Sequence, residues 1–181
     1  RAIGIVLFGL TGRLTVNGAY DSAFNIGTGF NNNVFALALS GTGASAKLYA
    51  GGQFTAVNDV TTNRNRIARL DAIGAYETSF AVGSGFGSDV NALALDSAGN
   101  VYVGGSFTSF AGITSNRNRL LRLTSDGLYD TAFNNNAVGS NSTVNTLLLR
   151  EDLTTPANSR LLFGGHFTTW NNNPRDSFAR V

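Results

Sequence analysis

The apolar positions gather into three short runs of one kind, Val34 to Leu39 (VFALAL), Val90 to Leu95 (VNALAL) and Val144 to Leu149 (VNTLLL). Each is followed by a polar turn cluster and then by a second β-prone run. In the clearest copy, Asp96-Ser97-Ala98-Gly99-Asn100 separates the apolar run from Val101-Tyr102-Val103, which predicts an antiparallel hairpin. The runs are close to continuous rather than alternating, so their strands are expected to be covered on both faces. Blades packed face to face would supply that cover.

The runs belong to a longer phrase that recurs. Arg13-Leu14, Arg69-Leu70, Arg122-Leu123 and Arg180-Val181 stand 56, 53 and 58 positions apart. After the first three Arg residues comes an aromatic phrase: Gly18 to Phe24 (GAYDSAF), Gly74 to Phe80 (GAYETSF) and Gly127 to Phe133 (GLYDTAF). After each apolar run comes a glycine pair: Gly51-Gly52-Gln53-Phe54-Thr55, Gly104-Gly105-Ser106-Phe107-Thr108 and Gly164-Gly165-His166-Phe167-Thr168. Self-similarity at this period marks stacked supersecondary units, each burying its apolar face against its neighbours. The expected fold is all-β, with three antiparallel units of about 55 residues arranged as propeller-like blades. A compact three-fold β-prism, or a segment of a longer array, is the alternative. The pattern assigns residues 1–12 to an N-terminal strand outside the repeat, 13–68 to repeat 1, 69–121 to repeat 2 and 122–181 to repeat 3 with the start of a next unit, all in one domain. The four Arg strands outnumber the three hairpins, so one is expected to pair with the N-terminal run or with another chain.

Spacing within the repeat separates surface from packed parts. From the last Leu of the run to the first Gly of the pair there are 12, 9 and 15 positions, whereas from that Gly to the next repeat Arg there are 18, 18 and 16. Length variation collects at the first connection, as expected of a surface turn. The second is expected to be constrained by packing. A Gly-Gly pair beside a strand marks a bulge or a close backbone approach. The Tyr and Phe of the aromatic phrase read as core plugs between units.

Composition narrows the function. Only 13% of residues are charged, the net charge is +2, and Cys and Met are absent. Thiol chemistry, disulfides and zinc–thiolate sites are therefore excluded. The Arg residues recur with the repeat (Arg64 and Arg66, then Arg117 and Arg119) instead of clustering on a basic face, so nucleic acid is not an expected partner. The apolar stretch Ala2 to Leu10 is far shorter than the roughly 20 residues of a membrane span. It reads as a strand entering from a preceding unit, not as a signal peptide. No membrane insertion is expected.

The candidate chemical groups mostly belong to the repeat. His166, the single histidine, fills the variable slot occupied elsewhere by Gln53 and Ser106, and no partner for acid–base work accompanies it. Asp21, Glu77 and Asp130 recur in step with Arg13, Arg69, Arg122 and Arg180, which predicts Arg–carboxylate latches within or between units. No Ca²⁺-loop or phosphate-loop pattern occurs. No cofactor or metal is expected, and an enzymatic role is not: a hydrolase would call for clustered acids or a partnered histidine. The copies differ most after the glycine pair, at 56–62, at Ser109 to Ser115, and at Thr169 to Pro174. There Phe110, Trp170, Asn171 and Asn172 are the candidate ligand- or partner-contacting residues, an aromatic-plus-amide surface suited to a sugar or a protein; for Trp170 an aromatic tucked under its own loop is the favoured reading.

These landmarks resemble the delta-60 repeat family of β-propeller-type repeats, with the closest copy running from Arg69 through Phe80, Val90 to Leu95, Gly104 to Thr108 and Asn118 to Leu123. The resemblance covers roughly residues 13 to 181. It implies blades of about four strands and proteins of the exported or surface type, and it brings no catalytic motif. The expected role is a non-enzymatic structural or adhesion module of an extracellular appendage, a cell surface or a phage tail fibre, with protein subunits of the same or neighbouring chains as partners. The alternative is a carbohydrate-binding module that meets a surface glycan through the divergent loops. Either role places the protein outside the cell or on a virion.

Overall fold

The computed structural model describes residues 3–7, 10–15, 17–62, 64–114, 118–133, 139–155 and 158–181. Phe8, Gly9, Ser115 and Arg117 lie outside the described residues. The described chain is all-β. It contains β1 (Ile3–Leu7), β2 (Leu10–Leu14), β3 (Val34–Ser40), β4 (Lys47–Gly52), β5 (Ile67–Leu70), β6 (Val90–Leu95), β7 (Val101–Gly105), β8 (Leu120–Leu123), β9 (Val144–Arg150), β10 (Arg160–Gly165), β11 (Thr169–Trp170), β12 (Asn173–Pro174) and β13 (Phe178–Arg180).

Three antiparallel three-stranded sheets form the blades: β3-β4-β5 (blade 1), β6-β7-β8 (blade 2) and β9-β10-β13 (blade 3). In each, the apolar run pairs with the glycine strand, and the glycine strand pairs with the Arg strand. Tyr20, Tyr76 and Tyr129 then bridge back to Leu14, Leu70 and Leu123, a one-residue fourth strand. The sheets straddle the sequence boundaries drawn above. Arg69-Leu70, the start of repeat 2 by pattern, is the third strand of blade 1, and Arg122-Leu123 closes blade 2. Each repeat is thereby tied to the one before it, because the backbone N–H and C=O groups of the Arg strand find their partners in the preceding sheet.

The surplus Arg strand pairs with the N-terminal run. In β1–β2, Gly4 stands opposite Arg13, as Tyr49 stands opposite Arg69 and Tyr102 opposite Arg122. The backbone of this hairpin thus copies the second and third strands of a blade, although residues 1–12 do not carry the repeat sequence.

The two glycines of each pair do different work. An added Cβ on Gly52, Gly105 or Gly165 would stand 2.1, 2.0 or 2.0 Å from the carbonyl oxygen of Asn33, Asp89 or Thr143 in the same blade. There the register of the first two strands slips by one residue, a β-bulge. On Gly51 the added Cβ would meet Val90 Cγ1 at 2.4 Å, and on Gly104 it would meet Val144 Cγ1 at 2.8 Å. The first glycine is a hollow that receives the valine of the next blade.

The core accordingly lies between blades. Tyr49 and Ile67 of blade 1 join Val101, Val103, Leu121 and Leu123 of blade 2 in one cluster. Tyr102 and Leu120 of blade 2 join Leu161, Phe163 and Ala179 of blade 3 in the next. Burial on both faces, expected of all three apolar runs, holds for β6 only. In β3, Leu39 is 62% exposed, and in β9 Leu148 is 65% exposed. Neither has a second neighbouring apolar strand, since β1–β2 lacks one and blade 3 has a blade on one side only.

Candidate functional site

The repeated charged residues come together as three copies of one latch. The chain leaves the Arg strand, reverses at a glycine with positive φ (Gly18, Gly74 or Gly127, at 80°, 94° and 85°) and runs back. The N–H of Asp21, Glu77 or Asp130 then donates to the carbonyl of Arg13, Arg69 or Arg122. This return sets each carboxylate beside its guanidinium: Arg13 Nε to Asp21 Oδ2 is 2.8 Å, Arg69 Nε to Glu77 Oε2 is 2.7 Å, and Arg122 Nε to Asp130 Oδ2 is 2.6 Å.

The same guanidiniums lie over rings, at 5.1 Å from Phe24, 5.0 Å from Phe80 and 5.0 Å from Phe133. Their outer nitrogens reach into the following turn, where Arg13 Nη1 donates to Ala72 O (2.8 Å) and Arg69 Nη1 to Ser125 O (2.6 Å). Arg122 Nη1 instead donates to Tyr102 Oη at 3.0 Å. Burial alone would lower the Arg122 pKa, but its bonds to Tyr102 and Asp130 outweigh that and raise it. Glu77 also pairs with Lys47 of blade 1. Donor and acceptor valences are largely consumed inside each latch, which suits a tie between units and not proton transfer.

Arg180 shares the repeat position but stands apart. Among the described residues it has no carboxylate or ring partner, and it is exposed. The acid that serves the other Arg residues always follows by eight positions.

A second recurring tie uses Arg positions whose recurrence was legible but whose partners were not. Arg66 and Arg119 hold positive φ (67° and 62°) and donate to backbone carbonyls of the next repeat, Phe86 O at 2.9 Å and Ser140 O at 3.1 Å. Gln53 Nε2 donates to Asp89 Oδ2 across the same junction. Arg64 lies 3.8 Å from the centre of the Tyr76 ring. Burial raises the Tyr76 phenol pKa, with Arg64 opposing in part. Tyr20, expected as a core plug, is 67% exposed. Phe24 and Phe80 are the true plugs, at 4% and 2%.

The loops that differ most in sequence share one structure. Val57-Asn58-Asp59-Val60, Phe110-Ala111-Gly112-Ile113 and Trp170-Asn171-Asn172-Asn173 are tight hairpins whose two central residues all have positive φ. That geometry explains the Asn, Asp and Gly at their tips. The first residue of each hairpin turns inward: Val57 is fully buried, Phe110 is 2% exposed and Trp170 is 9% exposed. Trp170 packs edge-on against Phe163 with centroids 4.8 Å apart. The rings of Phe110 and Trp170 are thus core, and the aromatic half of the expected recognition surface is not presented to solvent.

Asn171 Oδ1 is likewise occupied, accepting from Gly139 N at 2.9 Å, while Asn172 is exposed at the tip. Asn31 and Asn141 pin the hairpins from below, each Oδ1 accepting two backbone N–H groups, of Thr55 and Ala56 and of Thr168 and Thr169. Their signal lay in the polar stretches just ahead of the apolar runs.

No group of three or more His, Asp or Glu side chains among the described residues could hold a metal ion. His166 is exposed at the blade 3 edge. Asp152, whose pKa is lowered by hydrogen bonds from the Thr154 hydroxyl and the Thr155 and Thr154 N–H groups, organises a surface turn. No helix of the described chain is long and apolar enough to cross a membrane.

Two stretches of the chain, residues 47–80 and 99–133, match the family model described as a domain of unknown function (DUF5122) beta-propeller. Both run from the glycine strand through the Arg strand to the aromatic phrase, the segment that builds a latch. The repeat is of β-propeller type. No curated protein and no solved structure shows significant similarity to the chain.

Proposed function

We propose that this chain is a non-enzymatic structural or adhesion module of the delta-60 repeat type, acting on an extracellular appendage, a cell surface or a phage tail fibre. The observation that carries this reading is the fate of the charged residues. Arg13, Arg69 and Arg122 with Asp21, Glu77 and Asp130 are spent on holding repeat to repeat. A chain that invests its polar side chains in its own stacking is suited to bearing load or presenting a surface. Its partners would be protein subunits of the same assembly.

The test is binding of the purified chain on a glycan array, beside an Asn172→Ala variant. No glycan signal above background is expected. Strong binding lost in Asn172→Ala would overturn the reading in favour of carbohydrate recognition at the hairpin tips.

A further inference from the structure

We propose that Asn17 is a self-modification site: its side-chain amide is lost through attack by the Gly18 backbone nitrogen, and the isoaspartyl product releases the first latch. This goes beyond the role proposed above and does not depend on it. Asn17-Gly18 is the one Asn-Gly step in the chain; every other asparagine is followed by a residue whose side chain crowds the attack. Asn17 is exposed, and that exposure belongs to the turn itself. The equivalent Ile73, with a complete repeat before it, is 61% exposed, and Asp126 is exposed as well.

The reaction needs only water. The Gly18 nitrogen gives up its proton and bonds to Cγ of Asn17, the side-chain nitrogen leaves as ammonia, and a cyclic imide results. Water then opens the ring on either side. Breaking the bond from Gly18 N to Cγ leaves an ordinary aspartate. Breaking the bond from Gly18 N to the main-chain carbonyl carbon leaves the backbone running through the former side chain, one methylene longer. The Gly18 nitrogen is tied by its hydrogen bond to Thr15 O at 3.0 Å, in an exposed surface turn of the kind that opens locally at little cost.

The two products differ in consequence. The aspartate fits, because the third copy carries Asp126-Gly127 at this place, with Gly127 N on Thr124 O at 2.9 Å as Gly18 N is on Thr15 O. The isoaspartate does not. The turn closes through Thr15 N on Ala19 O and is followed by Asp21 N on Arg13 O, both at 2.8 Å, and an extra methylene between them shifts the return that sets the Asp21 carboxylate beside Arg13. Arg13 Nη1 also holds Ala72 O at 2.8 Å, so the loss reaches the following repeat. Ile73 cannot react, and Asp126 resists because an ionised carboxylate is a poor electrophile. The residue types that suit a tight turn thus make the first of three like latches the one that ages.

The experiment holds the purified 181-residue chain at neutral pH and body temperature, with samples taken over weeks. Mass spectrometry of the tryptic peptide 14–47 and isoaspartyl methyltransferase labelling follow the modification. Exchange of NH for O at Asn17 is expected to run several-fold faster than at any other asparagine, and the melting midpoint of the isoaspartyl form is expected to fall by about 2–4 °C. Asn17→Asp should keep the fresh midpoint, and Asn17→Ile should neither react nor drift. In Asp21→Ala, whose latch is already broken, Asn17 should still react but with no further fall in midpoint; Arg13→Met repeats this comparison from the cation's side. Asn17 left intact while other asparagines react overturns the proposal. So does an isoaspartyl form with an unchanged midpoint, or an equal fall in the variants that lack the latch.

Discussion

Blade 2 lies between two neighbours and blade 3 has one, and most of their differences fall where a neighbour would touch. Their inward-facing plugs match: Phe107 and Phe167 are both fully buried. Their outward faces do not. Blade 2 offers Ala92, Ala94, Tyr102 and the carbonyl-binding Arg119, whereas blade 3 offers Thr146, Leu148, Leu162 and Ser177 at the same places. The contrast teaches that a residue in this fold is specified less by its own sheet than by what stacks on it. Identical strands can therefore carry different side chains without a change of backbone.

Substitutions can break or sharpen this contrast. The largest effect is expected where the blades agree: Phe107→Ala and Phe167→Ala should each cost about 3–5 kcal/mol in denaturant unfolding, and a cost for Phe167 near zero would show that blade 3 is not packed as described. Next comes the hollow. Gly104→Val forces a side chain onto Val144 and should cost about 1–3 kcal/mol, while Gly164→Val, whose added Cβ would meet Thr146 and Ser177 of its own blade at 3.2 and 3.4 Å, should fall within about 0.5 kcal/mol of the parent. Equal costs at the two sites would remove the distinction.

The latches follow. Arg69→Met removes bonds to Glu77, Ser79 and Ser125 and should lower stability by about 1–2 kcal/mol after allowance for partial solvent screening; Arg180→Met should leave the melting midpoint in place. Ala111 is a smaller and opposite case. It holds φ 49° where blades 1 and 3 place Asn58 and Asn171, so Ala111→Asn should stabilise by about 0.5–1 kcal/mol, read as a raised unfolding midpoint. The smallest effect is electrostatic. Burial raises the Tyr76 phenol pKa in the fold, so its contribution is present below the ordinary phenol value and is lost as pH rises through the raised one. A spectrophotometric titration should show a late-ionising tyrosine that Tyr76→Phe eliminates.

Much of this was legible in particular residues. The Gly-Gly pairs announced a bulge or a close approach, and the structure contains both, one at each glycine. The Arg and acid positions announced latches because they recur in step. Trp170 is tucked under its own loop, as one of its two readings had it, for a physical reason: it is unique in composition, yet it fills the slot that Val57 and Phe110 fill in the other blades, and a tight hairpin turns that slot inward whatever its ring. Tyr20 misled. Its counterpart Tyr76 is covered by Arg64 from the preceding repeat, and nothing equivalent to Arg64 precedes Tyr20 in the sequence.

Local pattern was enough to determine the strands, the turns and the period, because apolar runs, β-propensity and turn chemistry act over a few neighbouring residues. Which sheet each Arg strand joins, which glycine is a bulge and which a hollow, and which apolar side chains stay open were decided only in the folded molecule. Those outcomes depend on contacts such as Arg13 to Ala72 and Arg69 to Ser125, between residues 59 and 56 positions apart, and a contact of that range leaves no imprint on the local sequence beyond the residues that make it.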